Sequence, residues 1–388
     1  MAEAAAASVS GPWLPLAGVR VVDFSLFVPG PFCSSILADL GAEVIKVESP
    51  GGDPGRRYIP AQFRTENRNK RALALNLKAP EAGDVVRRLA RAADVAIEGF
   101  RPGVAARLGI DHATLQRHNP KLVYCSISGY GQTGPWRERP GHDVNYVAAA
   151  GGLAFPGQWR KPPVRSSLAI ADLGGGSAAA IAVLAALNER SRTGRGARLD
   201  LSLFETAFFW AAQRHSLDAA ADPKAHIFPV NDVFETRDGE RITLGILEEH
   251  FWENFLRIAP ELADERFASD ASRRANGDAL SERLEAVMRT RSADEWVRLC
   301  EANDVPADRC LTPAQAAELE QIRARGGVVA RGGERFALFP VQADGGRRTS
   351  LRRGVPTLGE HSREVLVELG YDDEQVVALV RAGAVKTG

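Results

Sequence analysis

The strongest constraint lies in residues 18–48, where the hydrophobic period changes from that of a strand to that of a helix and back. Residues 19–24, Val-Arg-Val-Val-Asp-Phe, are apolar and β-branched; residues 31–40 carry helical spacing; residues 43–47 alternate. This is a strand–helix–strand unit. Two strands running the same way need a crossover between them, so a parallel sheet covered by helices follows. The pattern recurs with a strand at 73–77, a helix at 81–93, a strand at 95–97 and, after short helices, a strand at 122–127. A long helix is expected over about 177–190, after the triplet Gly174-Gly175-Gly176 and ending at Thr193-Gly194. A strand at 198–203 and a helix at 205–219 then close an α/β block.

From about Asp222 the texture changes. Pro223, Pro229, Asn231-Asp232 and Asp238-Gly239 are turn signals around an expected hairpin of 233–236 with 241–244, and helical stretches follow through 251–258 and 296–300. A chain of 388 residues is too long for one ordinary core, and the expected division is a disordered tail at 1–14, a large domain over 15–221, and a small domain over 222–325. A linker and C-terminal segment at 326–388 follows, with Gly326, Gly327, Gly332 and Gly333 as a flexible connection before two terminal helices.

Composition narrows the partners. Lys+Arg and Asp+Glu both number 49, so the balanced charge offers no field for nucleic acid or an acidic membrane, and any anion must be held locally. The four cysteines, Cys33, Cys125, Cys300 and Cys310, lack the spacing of a zinc site or a disulfide scaffold, which favours a reducing cytoplasmic setting and no metal. The first ten residues contain Glu3 and no basic region, unlike a secretory signal. No apolar run is expected to approach a spanning length of roughly 20 residues, the nearest being 177–187.

Several motifs then fall in order along the chain. They are Leu16-Ala17-Gly18-Val19-Arg20-Val21-Val22-Asp23, Pro29-Gly30-Pro31, the run Leu37 to Glu48, Asn67 to Lys78, Glu98-Gly99-Phe100-Arg101-Pro102-Gly103, Gly129 to Pro135, and Gly359-Glu360-His361-Ser362. With these the sequence resembles the family III CoA-transferases of CaiB/BaiF type, from Leu16 to about Val385. The resemblance implies a Rossmann-like large domain formed by both chain ends, a smaller inserted α+β domain, and two chains interlocked as a homodimer. It also implies an acyl-CoA thioester substrate, with no cofactor beyond the coenzyme A moiety. The first turn, Val28-Pro29-Gly30-Pro31, lacks the Gly-x-Gly-x-x-Gly fingerprint, so a dinucleotide is not expected there. By resemblance the coenzyme A lies along that turn at Val28 and over Leu75, Gly99, Phe100, Arg107 and Leu108. An arginine fork suits a phosphate, and a phenyl ring suits an adenine face. Taken singly, Leu75 and Leu108 read as core and Arg107 as a solvated charge.

The family contains enzymes that move CoA between carboxylates and enzymes that invert the carbon next to the thioester carbonyl. Gly141-His142-Asp143-Val144-Asn145-Tyr146 resembles the second group's motif around a catalytic histidine, Asp172 matches the aspartate of both groups, and Glu248 resembles a glutamate that the racemases place near the histidine. Inversion needs a base on one face of the carbon and an acid on the other. Histidine titrates near neutrality, and a partly buried aspartate can approach it, so His142 and Asp172 suit those roles. Asp143 and Glu248 would orient or charge-balance the imidazole, and N–H groups near Gly174–Gly176 would face an enolate oxygen. The blander reading makes Asp172 a helix cap and His142 a surface histidine. Three functions stay open: an α-methylacyl-CoA racemase, a CoA-transferase working through an anhydride at Asp172, and a non-catalytic CoA-binding homologue.

Overall fold

A computed structural model describes residues 11–215, 217–218, 222 and 224–388. The chain divides into two compact units: the first takes 1–150, 168–207 and 321–388, the second 151–167 and 208–320. These boundaries differ from the expected small domain at 222–325 chiefly by the early excursion at 151–167.

The first unit is built on β1 (Arg20–Asp23), β2 (Glu43–Glu48), β3 (Lys70–Leu75), β4 (Val95–Glu98), β5 (Val123–Ser128) and β6 (Ala197–Ser202). They form a parallel sheet in the order β3-β2-β1-β4-β5-β6, and a short C-terminal strand, Val385–Lys386, joins β3 antiparallel at the edge. The central strand β1 pairs Val21 with Val44 on one side and with Val95 on the other. Both faces of such a strand are covered, which is why Val21 and Val22 are consecutive apolar residues. The order reverses between β1 and β4, so their connections leave toward opposite sides and open a crevice at the strands' carboxyl ends.

The chain's last segment belongs to this core. Val365, Leu366 and Leu379 pack in one cluster with Ile45, Leu73, Val85 and Leu89. The glycines at 326, 327, 332 and 333 do not form a loose connection. They flank the antiparallel strands Val328–Arg331 and Glu334–Ala337, with Gly332 and Gly333 at φ +59° and +80° making the tight turn between them. Of the expected tail, residues 1–10 lie outside the described residues, while the Trp13 N–H donates to Arg348 O at 2.7 Å.

Four helices position the site: α1 (Pro29–Asp39), α2 (Pro60–Asn67), α3 (Asp143–Ala149) and α4 (Ile170–Thr193). Helix α4 starts seven residues before the expected position, 177 − 170, so the glycine triplet lies inside it rather than ahead of it. The triplet permits close packing. A Cβ on Gly176 would stand 2.7 Å from Pro29 O, and one on Gly175 would stand 2.2 Å from Leu203 Cδ2. Helix α4 is also long and apolar enough, by length and composition, to cross a bilayer, which amends the expectation of no such run. The helix expected at 205–219 is Leu203–Arg214; part of its expected end falls outside the described residues.

The second unit carries β7 (Asn231–Glu235), β8 (Arg241–Gly245) and β9 (Ala307–Arg309), a three-stranded antiparallel sheet whose first two strands are the expected hairpin. Its core is apolar, centred on Trp252, Phe255, Phe267, Leu284 and Trp296.

Candidate functional site

At the carboxyl end of the sheet lies a cleft of about 540 Å³ lined by the first unit alone. Its walls come from the segments that follow the strands: Leu26, Phe27 and Pro29 after β1, Gly99 to Pro102 after β4, Gly129 after β5 and Leu203 after β6. His142 and Asp172 face this same cleft, together with Asn145, Tyr146 and the arginines 101, 137 and 139. Residues 30 positions apart, 172 − 142, are therefore brought together because α3 packs against the start of α4.

Each residue of the motif at 141–146 has a local task. The Tyr146 hydroxyl donates to Gly141 O at 2.5 Å, and its ring fills the space beside Gly141 and Gly129; a Cβ on either would stand 2.6 or 2.5 Å from it. This pins the backbone just before His142. The Asn145 Oδ1 accepts from the His142 N–H at 3.0 Å, closing the first turn of α3. The imidazole is left exposed at the cleft. Burial, reinforced by the Asp172 carboxylate, pushes the Tyr146 phenol up to about 12, so it stays a neutral donor.

Asp143, expected to orient the imidazole, has a second task at the start of α4. It is 5% exposed, and its Oδ1 accepts from the N–H groups of Ala171 at 2.7 Å and Asp172 at 3.3 Å. These are free donors of the first turn of α4, and a carboxylate from α3 satisfies them. One side chain thus joins the backbone carrying His142 to the backbone carrying Asp172. The N–H groups of Gly174–Gly176 lie within α4, beyond the first bonded donor at Leu173, so they are engaged in the helix and not offered to an enolate. Glu248 belongs to the second unit, exposed directly before the helix Glu249–Ile258.

Of the residues expected along coenzyme A, Gly99 and Phe100 line the cleft. Leu75 does not: β3 sits between β2 and the C-terminal strand, which leaves its side chain 1% exposed in the core. Val28 is buried at the start of α1, while Arg107 and Leu108 end a short helix outside the cleft lining. Phe27 and the arginines at 101, 137 and 139 were missed. Arg101 stands inside the quoted motif at 98–103; the others lie in connections whose course the periodicity does not reveal.

Beneath the cleft floor the first unit buries a group of charges. Lys46 Nζ lies 2.8 Å from Asp53 Oδ2 and donates to Ser25 O at 3.1 Å; Lys70 Nζ donates to Asp23 Oδ2 at 3.3 Å, Pro31 O at 2.9 Å and Asn67 Oδ1 at 3.0 Å. Asp23 also accepts from the hydroxyls of Ser25 and Ser34. Burial works against its charge, but the ammoniums of Lys70 and Lys46 and these hydroxyls hold it below its ordinary value. A carbonyl of the β1–α1 turn, at Ser25, and one in the first turn of α1, at Pro31, are thereby held by buried ammonium groups. Within that turn Phe27 has φ +61°, a left-handed conformation that costs a bulky residue roughly 1–2 kcal/mol.

Comparisons with known proteins give the family and the fold. The model of CoA-transferase family III matches residues 16–362. The chain is 35% identical to an acetyl-CoA:oxalate CoA-transferase of Acetobacter aceti, covering 89% of this chain and 93% of that one. It is 31% identical to the human alpha-methylacyl-CoA racemase, covering 94% and 96%. A crystal structure of a CAIB/BAIF family protein from Brucella suis superposes with a TM-score of 0.83 at 32% identity, over 92% of this chain and 99% of that one.

Proposed function

Because the chain belongs to CoA-transferase family III, we propose that it acts on an acyl-CoA thioester in the first-unit cleft and inverts the α-carbon of a 2-methylacyl-CoA. The observation that carries this reading is the joint presence of His142 and Asp172 on one cleft wall system. The imidazole removes the α-proton from one face and the Asp172 carboxyl returns a proton to the other; in the reverse direction they exchange roles. Asp172 sits in the first turn of α4, where the helix N-terminus favours its carboxylate, the form that acts as base in the reverse direction. Tyr146 and Asp143 hold the two backbones that carry the pair.

The reading includes a homodimer in the cytoplasm that needs no metal and no cofactor beyond the CoA moiety of its substrate. Phe209 and Trp210 of the second unit are 62% and 45% exposed, and Ile181 of the first unit 68%, apolar side chains of the kind a partner covers. Leu75, Val28 and Arg107 do not contribute to the cleft lining and are not needed for the proton transfer as drawn.

A second reading, CoA transfer through an anhydride at Asp172, is favoured by the 35% identity to an oxalate CoA-transferase. The experiment is α-proton exchange of an (R)-2-methylacyl-CoA in deuterated water, beside transfer of CoA to free carboxylates, for wild type and His142→Ala. Racemisation is supported if wild type exchanges the proton with no acceptor acid and the variant loses on the order of a hundredfold. Transfer to an acid without any exchange, undiminished in the variant, overturns it in favour of the second reading.

A further inference from the structure

The β1–α1 turn is held in place by more buried charge than a turn requires, and its strained residue points to the reason. Four described non-glycine residues have positive φ, and three of them are Asn69, Asp304 and Arg160; Phe27 is the aromatic one. Its N–H donates to Asp53 Oδ1 at 3.3 Å, an oxygen that also accepts from the Gly55 N–H at 2.7 Å. The other oxygen of Asp53 faces Lys46, and both side chains are fully buried. A buried ion pair thus fixes the backbone of a residue whose own ring is 40% exposed and lines the cleft. That ring has no aromatic or cationic partner among the described residues. Glycine would occupy this conformation without strain, so folding alone gives no reason for a phenyl group here.

The turn also lies close to the reaction centre. Pro29 O packs against Gly176, one helical turn beyond Asp172 on the same face of α4. Leu26, Phe27 and Pro29 thus form a wall of the same cleft that Asp172 lines. We propose that Phe27 determines specificity by contacting the acyl side of the thioester, and that Asp53 and Lys46 are positioning residues that hold its backbone left-handed. This rests on the acyl-CoA reading of the cleft.

The test uses the full-length protein, with isobutyryl-CoA and free CoA as probes in titration calorimetry and melting temperature as a parallel readout. Phe27→Gly is expected to weaken isobutyryl-CoA about tenfold, from the lost apolar burial, while free CoA changes less than about twofold. Its melting temperature should stay level or rise, because the strain leaves with the ring. Phe27→Asn, which also tolerates the left-handed region, should behave alike and guards against a glycine-specific collapse of the turn. Asp53→Asn should weaken isobutyryl-CoA in the wild-type background and add little in the Phe27→Gly background, since its effect runs through the ring. Equal losses for both ligands would place the ring on the CoA portion and overturn the proposal. So would an unchanged affinity with a lower melting temperature, the mark of a purely structural residue. If the wild type binds neither ligand, the acyl-CoA reading fails and removes the premise; if it binds both and the variants match it, only the Phe27 proposal fails.

Discussion

The two units bury opposite kinds of side chain. The second surrounds Trp252, Phe255 and Trp296 with aliphatic residues and, among its described residues, buries only Thr236, Arg273 and Ser281 as polar side chains. The first buries Asp23, Lys46, Asp53, Glu66 and Lys70 around the β1–α1 turn and the end of α2, and Arg71 apart from them against Glu43, Glu364 and Glu368. Burying charge costs free energy unless partners are close, and an apolar substitute is often as stable. The contrast teaches that the first unit keeps its charges for positioning rather than for stability: they hold the β1–α1 turn, which lines the same cleft as His142 and Asp172.

The largest expected effect removes chemistry without touching that framework. Asp172→Ala should lower turnover on the order of a thousandfold or more under either catalytic reading. Its melting temperature should move by only a few degrees, because a favourable carboxylate in a first helical turn contributes about 1 kcal/mol or less. Near-normal turnover would remove Asp172 from the mechanism.

The next pair sets the units against each other. Trp296 is fully buried, and its Nε1–H donates to Met288 O at 2.8 Å. Trp296→Ala should cost about 3–5 kcal/mol in denaturant unfolding, through the cavity and the unsatisfied carbonyl, yet leave CoA affinity unchanged in the folded protein. Lys46→Met leaves Asp53 without its buried ammonium and should cost a similar amount, about 3–5 kcal/mol. Unlike the tryptophan variant, it should also weaken the acyl thioester. Two variants with equal stability loss and equal affinity would break the comparison.

A smaller effect separates two tasks for one carboxylate. Asp143→Leu removes the acceptor for the Ala171 and Asp172 N–H groups and should slow turnover about tenfold or more as the start of α4 loosens. Asp143→Asn keeps an acceptor oxygen and should restore most of the rate. If the asparagine variant is as slow as the leucine one, the negative charge itself is required, and an interaction with the imidazole regains the lead.

The smallest effect reads out the buried charges through pH. Glu66 is 3% exposed; its Oε1 accepts from Gln62 Nε2 at 2.9 Å, and its Oε2 is buried without a partner. Burial pushes its carboxyl up to about 8, against an unfolded value near 4.3. The folded chain holds this proton more tightly, so the stability it contributes is complete below about pH 4 and is lost as pH rises toward 8. Glu66→Gln cannot ionise. Its melting temperature should gain on wild type by a few degrees between pH 5 and 8.5. A difference that stays flat with pH would mean that Glu66 is already charged and paired in the fold.

Much of the first unit could be read from the chain because its signals are local. Consecutive valines in β1, a helical period after Pro29 and a second apolar strand at β2 leave a parallel arrangement as the available packing, since short-range sterics set these periods. The motif residues His142 and Asp172 were legible through resemblance, and their meeting in one cleft agrees with it. Side-chain partners were another matter. Asp143 carries the same acidic group whatever it meets, and only the packing of α3 on α4 reveals that it caps a helix 28 residues away. The glycine triplet looked like a helix start and proved to be a packing surface, because what matters is the neighbour at Pro29 and Leu203. The left-handed turn at Phe27 leaves no mark in a sequence, as a phenylalanine announces no positive φ. It exists because Lys46, 19 positions later, and Asp53, 26 later, meet beneath it. Local periods are written residue by residue; the pairing of distant charges is written only in the fold that brings them within about 3 Å.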